Sequence, residues 1–148
     1  MKATHWKLKI LTSSVFLIPE IACSDLNVSL PFYTEILGFR IQYQREDEGF
    51  VMLERQGACL MVDEINHAKR LWLTAPLVAP FGRGINLQIK TNKIDALYGR
   101  IQNARQEIFL PIEDKCYRAA DQSICQRQFI VLDPDGYMLR FIEYLPAL

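Results

Sequence analysis

A chain of 148 residues, half of them apolar and 23% charged, carries enough hydrocarbon for one packed core and too much for a disordered polymer. Seventeen Lys and Arg balance seventeen Asp and Glu, which leaves no electrostatic footprint for nucleic acid or an anionic membrane surface. Cys23, Cys59, Cys116 and Cys125 form no C-x-x-C pair, which argues against a zinc cluster or a dense disulfide framework and fits a reducing cytoplasm.

Residues 1–14 read as an N-terminal extension. Their lysines precede an apolar run broken by Thr12, Ser13 and Ser14, a poor secretory signal that reads better as the approach to a first strand. No stretch is long enough to span a bilayer. The β-prone run 15–23 is followed by SDLNVSLPFYTEILGF, a helix with Ser24 or Asp25 as cap, Leu30, Tyr33 and Leu37 on its apolar face and Gly38 as its stop. Pro31 is awkward in that helix unless it lies near the first turn. Strands are predicted over 39–45, 50–55 and 58–63, separated by EDEG and QG turns.

A connecting segment, 64–83, loses the periodicity at Pro76, Pro80 and Gly82 and reads as a link or lid. The βαβββ order then returns. GINLQIKT (84–91) is a strand, and NKIDALYGRIQNARQ (92–106) is a helix opened by an Asn92-x-x-Asp95 cap. PIEDKCYR, CQRQFIVL and YMLRFIEYL are strands, the last two joined by Asp133-Pro134-Asp135-Gly136, a type I turn closing into a bulge. Simple antiparallel register sets Cys116 across from Cys125, where two reduced cysteines packed side by side are expected rather than a redox link. The halves also match in detail: GACLMVDE (57–64) and GYMLRFIE (136–143) share a turn glycine and a closing acid, which sets Met61 in the role of Arg140.

Taken together, SDLNVSLPFYTEILGFR, GRGINLQI before IDALYGRI, and QRQFIVLDPDGYMLRF resemble the vicinal-oxygen-chelate superfamily of glyoxalases, extradiol dioxygenases and bleomycin-resistance proteins. The resemblance implies an α+β fold in which a first module (15–63) and a second (84–148) build a curved incomplete barrel as one structural domain, usually in a homodimer. It also implies helices on the convex side and a ligand cavity on the concave side. In metal-using relatives the position of Arg140 is a glutamate ligand, and its partners on the first strand of each module fall on Ile18 and Asn86.

Those residues are wrong for a divalent metal, since Ile18 and Met61 offer no oxygen or nitrogen and Arg140 is a permanent cation. His5 and His67 have no ligand spacing to the strands. PFGRGINLQI, FLPIEDKCYR and QRQFIVLDPDGYMLRF are most similar to the bleomycin-resistance group, which implies metal-free sequestration of a ligand without turnover. No cofactor, metal or catalytic residue is expected. Side-chain alternation sends Leu139 and Phe141 to the helix, and Met138, Arg140 and Ile142 to a pocket. Asn86, Gln88, Glu20, Ile18 and Met61 join that lining, with Trp72 in the connecting segment and Arg127 as outer candidates.

The expected ligand is a small, partly apolar organic molecule at or near the homodimer interface, and a cationic drug such as bleomycin is disfavoured beside Arg140. A bland role for Arg140 is an ion pair with Glu20 or Glu143, and Phe81 is expected to pack against a partner subunit. The rival reading is a metal-dependent lyase, isomerase or dioxygenase with a displaced site at Glu20, Glu143 or Asp63.

Overall fold

The computed structural model describes residues 17–67 and 71–146. The extension 1–14, His5 within it, and residues 15–16 of the first predicted strand lie outside the described residues. The fold is α+β, built on two open, mixed, four-stranded sheets.

The first sheet contains β1 (Glu20–Cys23), β2 (Arg40–Arg45), β3 (Phe50–Arg55) and β4 (Ala58–Glu64), in the order β1-β4-β3-β2. The second contains β5 (Asn86–Lys90), β6 (Ile108–Ala119), β7 (Gln122–Leu132) and β8 (Met138–Tyr144), in the order β5-β8-β7-β6. In each, the first strand runs parallel to the last, with Glu20 beside Met61 and Gln88 beside Arg140, and the other pairings are antiparallel. A parallel neighbour requires a crossover, and the helical segments provide it. These are α1 (Leu26–Pro31, widening into a π-helical turn over Phe32–Ile36) and α2 (Ile94–Asn103).

Pro31 is the sixth residue of α1, well past the first turn. A proline ring cannot donate a backbone hydrogen bond and crowds the preceding turn, and the chain answers by widening. The Leu37 amide reaches back five residues to the Phe32 carbonyl at 3.0 Å. The Thr34 hydroxyl donates to the Leu30 carbonyl at 2.8 Å, satisfying an acceptor in the irregular stretch.

The compact units differ from the two sequence modules. Residues 17–26 cluster with β2 to β4, whereas 27–38 cluster with residues 72–146. In that second unit the Tyr33 hydroxyl donates to Asp133 Oδ2 at 2.8 Å, and Arg100 Nε donates to the Ile36 carbonyl at 2.7 Å. Asp133 also accepts the Asp135 and Tyr137 amides at 2.9 Å each, so the DPDG turn is organised around a buried carboxyl. Burial raises the Asp133 pKa above the ordinary carboxylate range, against three hydrogen bonds that pull it down. Gly136 adopts φ 99°, and a Cβ there would collide with Pro80, so both backbone and space call for glycine.

The repeated closing acid has a structural purpose. Glu64 accepts the Leu26 amide at 2.7 Å in the first unit. In the second, Glu143 accepts the Lys93 and Ile94 amides at 3.2 and 2.9 Å. A carboxylate there satisfies otherwise orphaned amides and faces the positive end of the helix. The predicted Asn92-x-x-Asp95 cap is thereby corrected: Lys93, at φ 56°, immediately precedes α2, a remote carboxylate caps it, and Asp95 pairs with Arg127.

Candidate functional site

Strand β8 separates two environments by simple alternation. Leu139 and Phe141 are fully buried, and the Phe141 ring stacks on Phe129 with centroids 5.5 Å apart. Phe129 in turn meets Tyr98 of α2 at 5.1 Å, so this is the helix side, as predicted. Met138 and Arg140 point to the opposite face and are half-buried. Ile142 shares that face but is fully covered, so it lines no open surface.

Sheet register extends this face into two rows. Across β5, β8 and β7, the first row runs Gln88, Arg140, Ile130, and the second runs Asn86, Met138, Leu132. Asn86 and Gln88 are exposed, while Met138, Ile130 and Leu132 are half-buried. The face therefore grades from two neutral amides, through one guanidinium, to an apolar shelf. Arg140 Nε is closed to solvent and has no hydrogen-bond partner, and the side chain forms no ion pair among the described residues. Its expected structural partner on the same strand, Glu143, is committed to the start of α2. A buried donor without an acceptor costs about 1–3 kcal/mol, and Ser29 Oγ and Arg55 Nη1 are left in the same condition elsewhere in the chain.

Beside these rows lies a polar network that sequence reading missed. Gln126 and Gln128 are buried; Gln126 Nε2 donates to Gln128 Oε1 at 2.9 Å, and Gln128 Nε2 donates to Glu113 Oε1 at 2.8 Å. The Tyr117 hydroxyl also bonds Gln128. Its available signal was Gln-x-Gln at a period of two within an otherwise apolar strand.

In the first unit, Glu20, Met61 and Asp63 share one sheet face, Ile18 is half-buried just ahead of β1, and Met61 donates its amide to the Pro19 carbonyl. Asp63 is buried and hydrogen-bonded to Glu20. Burial, then the Glu20 hydrogen bond and its charge, push the Asp63 carboxyl up to about 7, partly offset by Arg45. The Asp63 carboxyl thus keeps its proton more readily than an ordinary carboxylate, where the equivalent position of the second sheet, Ile142, carries no titratable group.

Other candidates resolve differently. Arg127 leaves the site: it lies on the helix side, where Nε and Nη2 form a two-pronged bond to Asp114 at 2.7 and 3.0 Å and Nη1 reaches Asp95 at 3.1 Å. That pairing raises the Arg127 pKa and lowers that of Asp114. Trp72 is 74% exposed. Phe81, expected at a subunit contact, is buried edge-on against Tyr137 of its own unit because the Phe81 amide is tied to the Asp135 carbonyl. Cys116 faces Cys125 in the predicted register, but the pair is joined as a disulfide. The reduced pair expected from sequence is corrected, since directly opposed strand residues bring the two Cα atoms to 4.0 Å. Cysteine usage therefore carries no argument for a reducing compartment.

The donor set does not suit a divalent metal. At the four relevant positions stand an alkyl chain, an amide, a thioether and a cation whose free groups are all donors. Among the described residues no three His, Cys, Asp or Glu side chains come together as a metal-holding group.

The family model described as Glyoxalase/Bleomycin resistance protein/Dioxygenase superfamily matches residues 15–141, nearly the whole chain. The chain belongs to this superfamily. Among solved structures, a protein of unknown function from Agrobacterium tumefaciens str. C58 is 28% identical with a TM-score of 0.64, covering 90% of this chain and 96% of that one. TioX from Micromonospora sp. ML1 is 18% identical with a TM-score of 0.69, covering 89% and 100%. A glyoxalase/bleomycin resistance protein/dioxygenase from Nocardioides is 21% identical with a TM-score of 0.63, covering 97% and 93%. The last two share the fold at identities too low to transfer chemistry. No protein with a curated description matches the chain. Among the described residues no helix is long and apolar enough to cross a membrane.

Proposed function

We propose that this superfamily member is a metal-independent small-molecule-binding protein of the bleomycin-resistance type, acting as a cytoplasmic homodimer without turnover. The observation that carries the reading is Arg140: a half-buried guanidinium with an orphaned Nε, on the sheet face opposite the helix, beside free amides and an apolar shelf. Few convergent polar groups among apolar side chains are the usual mark of a ligand site. Asn86, Gln88 and Met138 join Arg140 in that site, while Ile18, Glu20 and Met61 form the corresponding face of the first sheet. Trp72 remains an exposed aromatic of the connecting segment, accessible to a ligand or a partner subunit.

The rival metal-dependent reading loses a donor, because Glu143 caps α2. Asp63 holds its proton more tightly than an ordinary carboxylate, and protonation competes with metal binding. Two measurements on purified protein decide between the readings. Metal analysis before and after incubation with zinc, manganese or iron is expected to find no stoichiometric metal, and one ion per chain surviving dialysis overturns the proposal. A ligand present at a hundredfold excess over its Kd stabilises the fold by about 2.7 kcal/mol, so a thermal-shift screen of small organic molecules is expected to produce hits. Size-exclusion chromatography with light scattering tests the dimer.

A further inference from the structure

Taking the Arg140 face as a ligand site, we infer that its ligand is an organic monocarboxylate, with its carboxylate on the guanidinium and its apolar body across Met138, Ile130 and Leu132. Three observations select this class.

The first is the sign of the charge. Arg140 is a permanent cation with no ion-pair partner among the described residues, and two acids of its own sheet are already engaged. Glu143 holds the amides at the start of α2, and Glu113 accepts from Gln128 at 2.8 Å. A cationic ligand would meet an uncompensated like charge at a half-buried position.

The second is the amount of charge. A phosphate dianion is ordinarily held by several cations or by the free amides of a helix N-terminus. The N-terminus of α2 is occupied by Glu143, and the next cation on β5, Lys90, lies beside Ile142 rather than Arg140, with Nζ 5.4 Å from the Tyr144 ring centroid. The closer neighbours on the amide side, Asn86 and Gln88, are neutral. One guanidinium compensates one charge, and a second charge placed beside the apolar shelf would stay desolvated and unpaired. A carboxylate presents two coplanar oxygens that match the planar guanidinium fork, which a single-point cation would not select.

The third is the gradient along the rows. The half-buried Ile130, Met138 and Leu132 lie on the β8 and β7 side of Arg140, and the exposed amides lie on the β5 side. This orients the apolar body of the ligand toward β7 and leaves its remaining polar groups for Asn86 and Gln88.

Four naphthalene probes test the class by calorimetry on the wild-type protein: 2-naphthoate, 2-naphthamide, 2-naphthylmethylammonium and 2-naphthyl phosphate. The expected result is that 2-naphthoate binds at least tenfold more tightly than each of the others, and that this preference disappears in Arg140→Met and is partly kept in Arg140→Lys. Thermal melting serves as the folding control, since Arg140→Met removes an orphaned donor and is expected to melt no lower than the parent. Equal binding of the four, tighter binding of the amide, ammonium or phosphate, or a carboxylate preference that survives Arg140→Met overturns the monocarboxylate and leaves a small-molecule site standing. If none of the four binds while the thermal-shift screen produces hits, the monocarboxylate falls and the site stands; if the screen is empty as well, both fall.

Discussion

Glu64 and Glu143 occupy matching positions in the two sheets and perform one task, holding the first amides of a helix. The residues facing away from that task have diverged. Along the parallel strand pair the first sheet presents Glu20, Met61 and Asp63, where the second presents Gln88, Arg140 and Ile142. In the first, Asp63 is buried, hydrogen-bonded to Glu20 and keeps its proton more readily than an ordinary carboxylate. In the second, a guanidinium is left with a buried, unanswered donor. The capping acid is retained because helix geometry requires an acceptor at that point, whereas the opposite face of the strand is free to change its chemistry. Of the two faces, the second is the one on which the proposed ligand site rests.

Four measurements sharpen or break this comparison. The largest effect belongs to the helix side of β8: Phe141→Ala removes a fully buried ring stacked on Phe129 and is expected to cost about 3–5 kcal/mol in urea denaturation. A loss below about 1 kcal/mol would show that the two faces of β8 are not energetically distinct.

Next is the raised carboxyl of Asp63 in the first sheet. Asp63 holds its proton more tightly in the fold than in the unfolded chain, so its contribution is complete below the ordinary carboxylate range and is lost as pH rises through about 7. Stability is therefore expected to fall by about 2–4 kcal/mol between pH 4 and pH 8, and Asp63→Asn is expected to flatten that dependence. A wild-type profile unchanged by the substitution would remove the pair from the comparison.

Smaller again are the caps. Glu64→Ala and Glu143→Ala are each expected to cost about 1–2 kcal/mol, with Glu143→Gln recovering part of the loss. If only one of the two alanine variants is destabilised, the equivalence of the acids fails. Smallest of all is Arg140→Met, expected to leave the melting temperature unchanged or to raise it slightly, because the substitution deletes an unsatisfied donor and keeps most of the volume. A clear loss of stability there would make Arg140 a structural residue.

Much of the architecture was legible from local patterns. Period-two alternation on YMLRFIEYL set Leu139 and Phe141 against Met138 and Arg140, the DPDG turn located the last hairpin, and the spacing around AADQ put Cys116 opposite Cys125. These depend on residues close in sequence, where strand and turn geometry leave few choices. The Cys116–Cys125 disulfide aside, the errors at Arg127, Phe81 and Asp95 involve partners beyond the local segment. Arg127 looked available until Asp114 and Asp95 were found beside it, and Phe81 looked like a subunit contact until Asp135 held its amide. Asp95 looked like half of a capping box until Glu143, far along the chain, took that place.

What the sequence by itself determined is the doubled βαβββ order, the alternation of each strand and the presence of hydrocarbon, amide and cation at Ile18, Asn86 and Arg140. The tertiary structure alone decided which polar groups are satisfied. A hydrogen bond depends on where a donor and an acceptor finish in space, and separations such as that between Tyr33 and Asp133 are set by packing rather than by local preference. That accounting leaves Glu143 committed to a helix and Arg140 Nε without an acceptor.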